Sequence, residues 1–201
     1  ASVEPMVVAL APILNFSGEF NLDPIKAADL LASELTYING ITVLPVSRVV
    51  AVLAAQGRQQ IESPTHALAV AEAVGAEAIM VPGITEYNPY TPVVGVAVQM
   101  YRQRRGMTPG FDPVQAAREA RPVLVAEMGQ TMGPTSQVQQ IYNARHDSVV
   151  RAIKNYASHR SEGEQAIGWS QYVKVQTLFL RFCWHDTIER LIAQSCDGQS
   201  I

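Results

Sequence analysis

Near its start the chain carries a nearly continuous apolar run, Met6 to Leu14 (MVVALAPIL), the pattern of a strand covered on both faces. A turn-like NFSGEFN follows, then DPIKAADLLASEL, in which Asp23 is placed to cap and Pro24 suits a first helical turn. Ile25, Ala28, Leu31, Ala32 and Leu35 recur at helical spacing and predict the buried face of that helix. Asn39-Gly40 ends the unit, and ITVLPV reads as a short second strand. Ser47 is placed to cap the helix RVVAVLAAQ, which stops at Gly57, and Ser63-Pro64 opens THALAVAEAV, which stops at Gly75. Strand, helix, strand, helices, strand is the βαβ rhythm, which predicts parallel early strands joined by right-handed crossovers.

The next stretch, GAEAIMVPGITEYNPY, moves from core to surface. Ala78 to Val81 fit a central buried strand. Pro82 cannot donate a ladder hydrogen bond and Gly83 adds no side chain, so a bulge or sheet edge is expected there. Beyond it the alternation puts Ile84 and Glu86 on one face, Thr85 and Tyr87 on the other. NPYTP turns the chain, and Val93 to Tyr101 reads as a strand returning antiparallel.

From Arg102 to Arg121 the periodicity is lost, and the segment reads as an arginine-rich excursion with one short helix after Asp112-Pro113. PVLVAEM fits a further strand, while SQVQQIYNA fits a strand or a helix. The rest is helical: one helix starts at Asp147, and another spans roughly Val175 to Gln194 with Leu178, Phe182, Ile188 and Ile192 as its stripe. The pattern as a whole predicts a mixed α/β fold with parallel core strands, antiparallel strands added, and helices packed on the sheet. Residues 1–144 form the α/β domain, and 145–201 a helical C-terminal extension packed on the same core.

Composition refines this picture in two ways. At 201 residues and 48% hydrophobic, the chain buries a substantial core without disulfides or metals to staple it. Residues 1–99 hold three basic and nine acidic side chains, and 100–201 hold twelve and nine, so the two halves carry opposite net charge. No window is long and apolar enough to span a bilayer, and ASVEPMVVAL lacks the basic flank of a signal peptide, although such a start can also follow a removed export signal. If both lie on one helix, Cys183 and Cys196 stand about 20 Å apart, too far for a disulfide, which leaves the redox compartment open.

The chemical motifs are mostly negative. GxGxxG, GxxxxGK[ST], GxSxG, HExxH and CxxC are all missing from the sequence. In FCWHD, helical spacing points Cys183 and His185 in different directions, so no Cys-His pair is preassembled. Glu77 and Glu86 are about 30 Å apart along one extended strand and cannot act on one bond. His66, His146 and His159 have no ligand spacing with any acid or cysteine. No catalytic, cofactor-binding or metal-binding residues are assigned, and no cofactor is expected. The net charge of −3 argues against nucleic acid. The run YRQRRG suits a solvated loop or, as a contact, anionic lipid heads or an envelope polymer, and the tyrosines of TEYNPY suit either turn packing or an aromatic contact.

The order VVALAPILNFSG, AADLLASEL, ITVLPVSRVVAVLAAQG and AVGAEAIMVPGITEYNPY resembles the CsgG-type envelope lipoproteins and the related N-terminal domain of TolB. The resemblance covers about residues 6–101. The chain departs from it at Val46-Ser47-Arg48, which keeps only the arginine of a usual Glu-Arg, and at Pro82, which replaces a small polar residue. The resemblance implies a periplasm-facing α/β domain, on the periplasmic side of the bacterial envelope, lipid-anchored in its precursor. It implies work by binding and assembly rather than catalysis, in groups that serve as secretion pores, flagellar accessory proteins and activators of cell-wall synthases. The paired hairpins of a membrane barrel are not in this sequence.

The expectation is therefore a non-enzymatic envelope domain that binds a protein partner or itself, with Tyr87, Tyr90, Arg102, Arg104 and Arg105 as its contact residues. Membrane contact is expected only through a lipid anchor outside this chain. Two alternatives stand beside it. One is a small hydrolase or transferase using Glu86, His185 or Asp186, which a concave pocket lined by two of these would favour. The other is a soluble ligand sensor.

Overall fold

The computed structural model describes residues 5–88, 90, 92–102, 134–160 and 168–197, the side chains of 195–197 excepted. The expected strand PVLVAEM, the excursion beyond Arg102 with Arg104 and Arg105, and the Cys196 thiol lie outside the described residues. The fold is mixed α/β. Strands β1 (Met6–Leu10), β2 (Leu14–Asn15), β3 (Ile41–Leu44), β4 (Ala78–Asn88), β5 (Val93–Arg102) and β6 (Ser136–Asn143) form one sheet. Its order is β3-β1-β4-β5-β6, with β2 beside β4. β1 pairs parallel with β3 and β4, whereas β4, β5 and β6 pair antiparallel. SQVQQIYN is thus a strand, with Val138 and Tyr142 buried and Gln137 and Gln139 exposed.

The helices are α1 (Pro24–Leu35), α2 (Val46–Ala55), α3 (Pro64–Val74), α4 (Asp147–Ser158), α5 (Trp169–Lys174) and α6 (Gln176–Asp197). Asp23 caps α1 by accepting from the backbone N–H groups of Ile25 and Lys26, and Ser63 caps α3 by accepting from His66. Gly75 closes α3 at φ 74°, a left-handed conformation that glycine adopts without a Cβ penalty. Ser47 does not cap α2. That helix begins at Val46, two residues before the expected Arg48, behind Pro45, and has no side-chain cap; proline fixes the entry dihedral instead.

Two cores flank the sheet. On one face α1, α4, α5 and α6 bury Leu31, Leu35, Ile153, Tyr172, Phe182 and Trp184 against Val8, Met80, Val96 and Val98. On the other face α2 and α3 set Val49, Leu53, Ala67 and Val70 against Ala9, Ile79, Val81 and Tyr101. Each large side chain so enclosed contributes about 1.5–3 kcal/mol.

The buried face of α1 is Ala27, Ala28, Leu31, Glu34 and Leu35, while Ile25 is exposed and Ala32 half-buried. Helix α6 is buried over a wider arc than its predicted stripe, through Phe179, Leu180, Cys183, Trp184, Thr187 and Leu191 as well. The reason is that α6 touches β5 and β6 below and α1 and α5 at its flanks.

Pro82 sits in the regular part of β4, opposite Val98. The carbonyls of Met80 and Ile84 accept from Ala11 and Phe16 on the β1–β2 side, so by strand alternation the missing Pro82 N–H falls in the gap between those two short strands. The bulge comes later, where Thr85 is the extra residue between the pairs Ile84–Val96 and Glu86–Gly95. It shifts the alternation, so that Tyr87 packs on the same core as Ile84 rather than facing away from it. Gly95 is required there: a Cβ would run into Thr85 Oγ1 and come within 3.0 Å of the Glu86 backbone nitrogen.

Candidate functional site

The expected contact residues separate along the β4–β5 hairpin. Tyr87 lies beside Val94 near the turn, half-buried, with its phenol pushed up by burial, with the charge of Glu19 adding to it and the Gln176 side chain opposing. Tyr90 stands in the turn, 95% exposed. Arg102 pairs with Ala78 at the far end of β5, about 30 Å from the turn at 3.3 Å per residue. The fold therefore does not gather the tyrosines and Arg102 into one patch.

The tyrosine end does gather other aromatics. Phe16, whose backbone N–H donates to the Ile84 carbonyl, packs its ring edge over Gly83 yet remains 66% exposed. Phe20, on the β2–α1 loop, is 99% exposed. That loop reaches Tyr87: Asn21, Leu22 and Asp23 share a surface depression with it. Phe16, Phe20 and Tyr90 are thus exposed aromatics on the β2–α1 segment and in the β4–β5 turn, which sequence alternation could not show because all three lie outside the strands.

A second constellation centres on a carboxylate that sequence reading passed over. Glu34 projects from the apolar face of α1, and its side chain is wholly buried. Arg181 Nε donates to its Oε1 at 2.7 Å and the Tyr156 hydroxyl donates to the same oxygen at 3.1 Å. Arg160 donates to Oε2 and to the Tyr156 hydroxyl. His185 Nδ1 lies 3.4 Å from Oε2, and its Nε2 lies 3.4 Å from Glu189. The Arg160 guanidinium is sandwiched over the rings of Tyr37 and Tyr156, at 4.5 and 4.2 Å. Burial raises the Glu34 pKa, but the His185 and Arg160 hydrogen bonds and the charges of both arginines outweigh it and hold the carboxyl below its ordinary range.

Beside this cluster a pocket of about 380 Å³ is lined by Tyr37, Tyr156, His159, Arg160, His185 and Asp186 among others. Asp186 accepts from the Tyr142 hydroxyl at 2.7 Å and from Arg190 at 2.6 Å. Burial, chiefly, drives the Tyr142 phenol far up, with Asp186 adding to it. His185 and Asp186 therefore do line one cavity, but each is tied to other partners, and Glu86 lies exposed on β4. Cys183 is fully buried and its thiol is pushed well up, first by desolvation and then by the Asp186 charge, so it is not a poised nucleophile. Among the described residues no group of His, Cys, Asp or Glu is arranged to hold a metal.

One sequence signal pointed to Glu34. It falls at i+7 from Ala27 and i+3 from Leu31 on an apolar stripe, where a charge requires a buried partner. Nothing local to Arg160 or Arg181 marks them as those partners.

No known protein-family model matches the chain, and no curated protein does. Among solved structures it is similar to the LpoB C-terminal domain from Salmonella enterica, with 12% identity, a TM-score of 0.47, and 70% of this chain and 84% of that one covered. It is similar to the lipoprotein GNA1162 from Neisseria meningitidis at 17% identity and a TM-score of 0.41, over 64% of this chain and 99% of that one. The hypothetical protein CT253 from Chlamydia trachomatis matches at 11% identity and a TM-score of 0.40, over 96% and 94%. At these identities the likeness reaches no side chain of either constellation, and the resemblance to CsgG and TolB rests on the sequence pattern.

Proposed function

We propose that this chain is a non-enzymatic domain of a bacterial envelope protein, held on the periplasmic side by a lipid on its precursor, which docks a protein partner or another copy of itself. One observation carries the proposal: Phe16, Phe20 and Tyr90, on the β2–α1 segment and in the β4–β5 turn, are all exposed large aromatics, and exposed aromatic surface marks an interaction site. The envelope placement rests on the sequence resemblance over residues 6–101. The geometry suits it, because β1 begins beside Gly40 at the opposite end of the sheet, so that a tether at the N-terminus holds the aromatic end away from the membrane. Tyr87 supports this end from beneath. Arg102, Arg104 and Arg105 are proposed in addition as contacts for envelope polymer or anionic lipid.

The test is a pair of variants in the lipidated full-length protein. Phe20→Ser with Tyr90→Ser abolishes partner co-purification at unchanged melting temperature, while reversal of Arg102, Arg104 and Arg105 to glutamate leaves it intact. Co-purification that survives the aromatic changes and fails on charge reversal moves the contact to the arginine end.

A second reading, a small hydrolase or transferase, is favoured by the shared pocket of His185 and Asp186. Turnover of an ester, phosphoester or glycoside substrate that disappears in His185→Ala, at unchanged stability, establishes that reading and displaces the first.

A further inference from the structure

The sheet ends in an edge whose backbone geometry singles out one residue. Met6 N–H donates to the Gly40 carbonyl, and Met6 is in register with Ile41. In a parallel ladder this turns the backbone groups of Gly40 and Thr42 toward β1 and those of Ile41 and Val43 outward. The Ile41 N–H is taken by the Ile38 carbonyl. The Ile41 carbonyl and both backbone groups of Val43 therefore form an open edge with no hydrogen-bond partner among the described residues.

Beside this edge lies an apolar groove of about 590 Å³ between α1 and α2. Val43 forms part of its lining, with Ile25 on one wall and Val50, Ala51 and Ala54 on the other. Ile25, Ala51 and Ala54 are exposed. Their spacing explains the groove: positions 47, 51 and 54 of α2 face α1 one helical turn apart and carry only Ser, Ala and Ala. Asp29 is the one charged side chain in the lining, and it is exposed.

We propose that β3 accepts an extended segment of a protein partner as an added strand, with apolar side chains at alternate positions filling the α1–α2 groove and a lysine or arginine reaching Asp29. A strand laid on Val43 exchanges both of its backbone bonds and adds one to the Ile41 carbonyl, while every second side chain points to the groove side. The charge of Asp29 selects a basic residue in the guest. A second copy of this chain is a poor guest. Antiparallel pairing of β3 with itself at Val43 sets Ile41 opposite Pro45, which has no N–H to donate, and brings two Asp29 carboxylates to the same seam. The inference concerns the β3 edge, where the test reads backbone pairing at Val43, and it stands or falls independently of the envelope reading.

The experiment is an amide NMR titration of the 201-residue chain with alternately apolar hexapeptides carrying one lysine, alongside the same peptides N-methylated at alternate amides. Unmethylated peptide shifts Ile41 to Leu44 and the facing residues of α1 and α2, protects the Val43 amide from exchange, and binds about tenfold or more tighter than its methylated form. Val43→Pro removes an outward N–H without touching the β1 ladder, and Ala51→Phe fills the groove; each weakens binding about tenfold. Asp29→Lys weakens the lysine peptide and spares a neutral one. No shift at about 1 mM peptide, weaker than any specific docking, overturns the proposal. So do shifts indifferent to N-methylation and to both groove variants, or a Val43 amide already protected in a homodimer without peptide.

Discussion

Glu34 on α1 and Arg181 on α6 meet at 2.7 Å across 147 positions of sequence. With Arg160 and Tyr156 they lock α1, α4 and α6 together over one face of the sheet. Such a carboxylate is a fixed structural charge: held ionised and enclosed, it has no access to a substrate. Removing it takes from Arg160, itself buried, the carboxylate it is paired with here. Glu34→Gln is expected to cost about 3–5 kcal/mol, read as a lower urea midpoint at unchanged slope.

The same carboxyl sets an acid limit. Its pKa in the folded chain lies below the ordinary value of 4.5, so its stabilisation is fully present above that value and is lost as pH falls through the folded pKa. Urea unfolding followed from pH 7 to pH 3 should show wild type losing stability more steeply than Glu34→Gln below about pH 4.5. Parallel pH profiles for the two would contradict the assignment.

Cys183 offers a kinetic readout of packing. Its thiol is fully buried and pushed up in pKa, so in a Cys196→Ser background a thiol reagent should react only at the rate of global unfolding. Reaction within seconds under native conditions would show that α6 opens locally.

Gly95 is predicted to be intolerant of any side chain. Gly95→Ala forces a Cβ onto the Thr85 bulge and is expected to cost about 1–3 kcal/mol. Adding Thr85→Ala restores only part of this, because the Glu86 backbone nitrogen remains 3.0 Å from the new atom.

The βαβ order, the caps at Asp23 and Ser63 and the stop at Gly75 were legible because each is a local signal, read within a few residues. What escaped was set by contacts distant in sequence. Pro82 belongs to a regular central strand only because β1 ends and β2 begins on either side of it. Tyr87 turns inward only because the extra residue falls at Thr85. The breadth of the buried arc on α6 depends on α1 and α5 lying at its flanks, which periodicity within α6 cannot show. Glu34 announced itself as a charge on an apolar stripe, but Arg160 and Arg181 come from segments whose own patterns are ordinary. The aromatic end joins a β2–α1 loop to a β4–β5 turn, and that meeting exists only once β2 has paired with β4.

The account rests on the aromatic end being the docking face, and site-specific photocrosslinking in the envelope tests it most directly. A photoreactive residue at Phe20 or at Tyr90 should give the same single adduct, lost on Phe16→Ser, while the same group at exposed Gln59 on the α2–α3 loop gives none. Adducts equal at all three positions, or absent from Phe20 and Tyr90 alike, would contradict it.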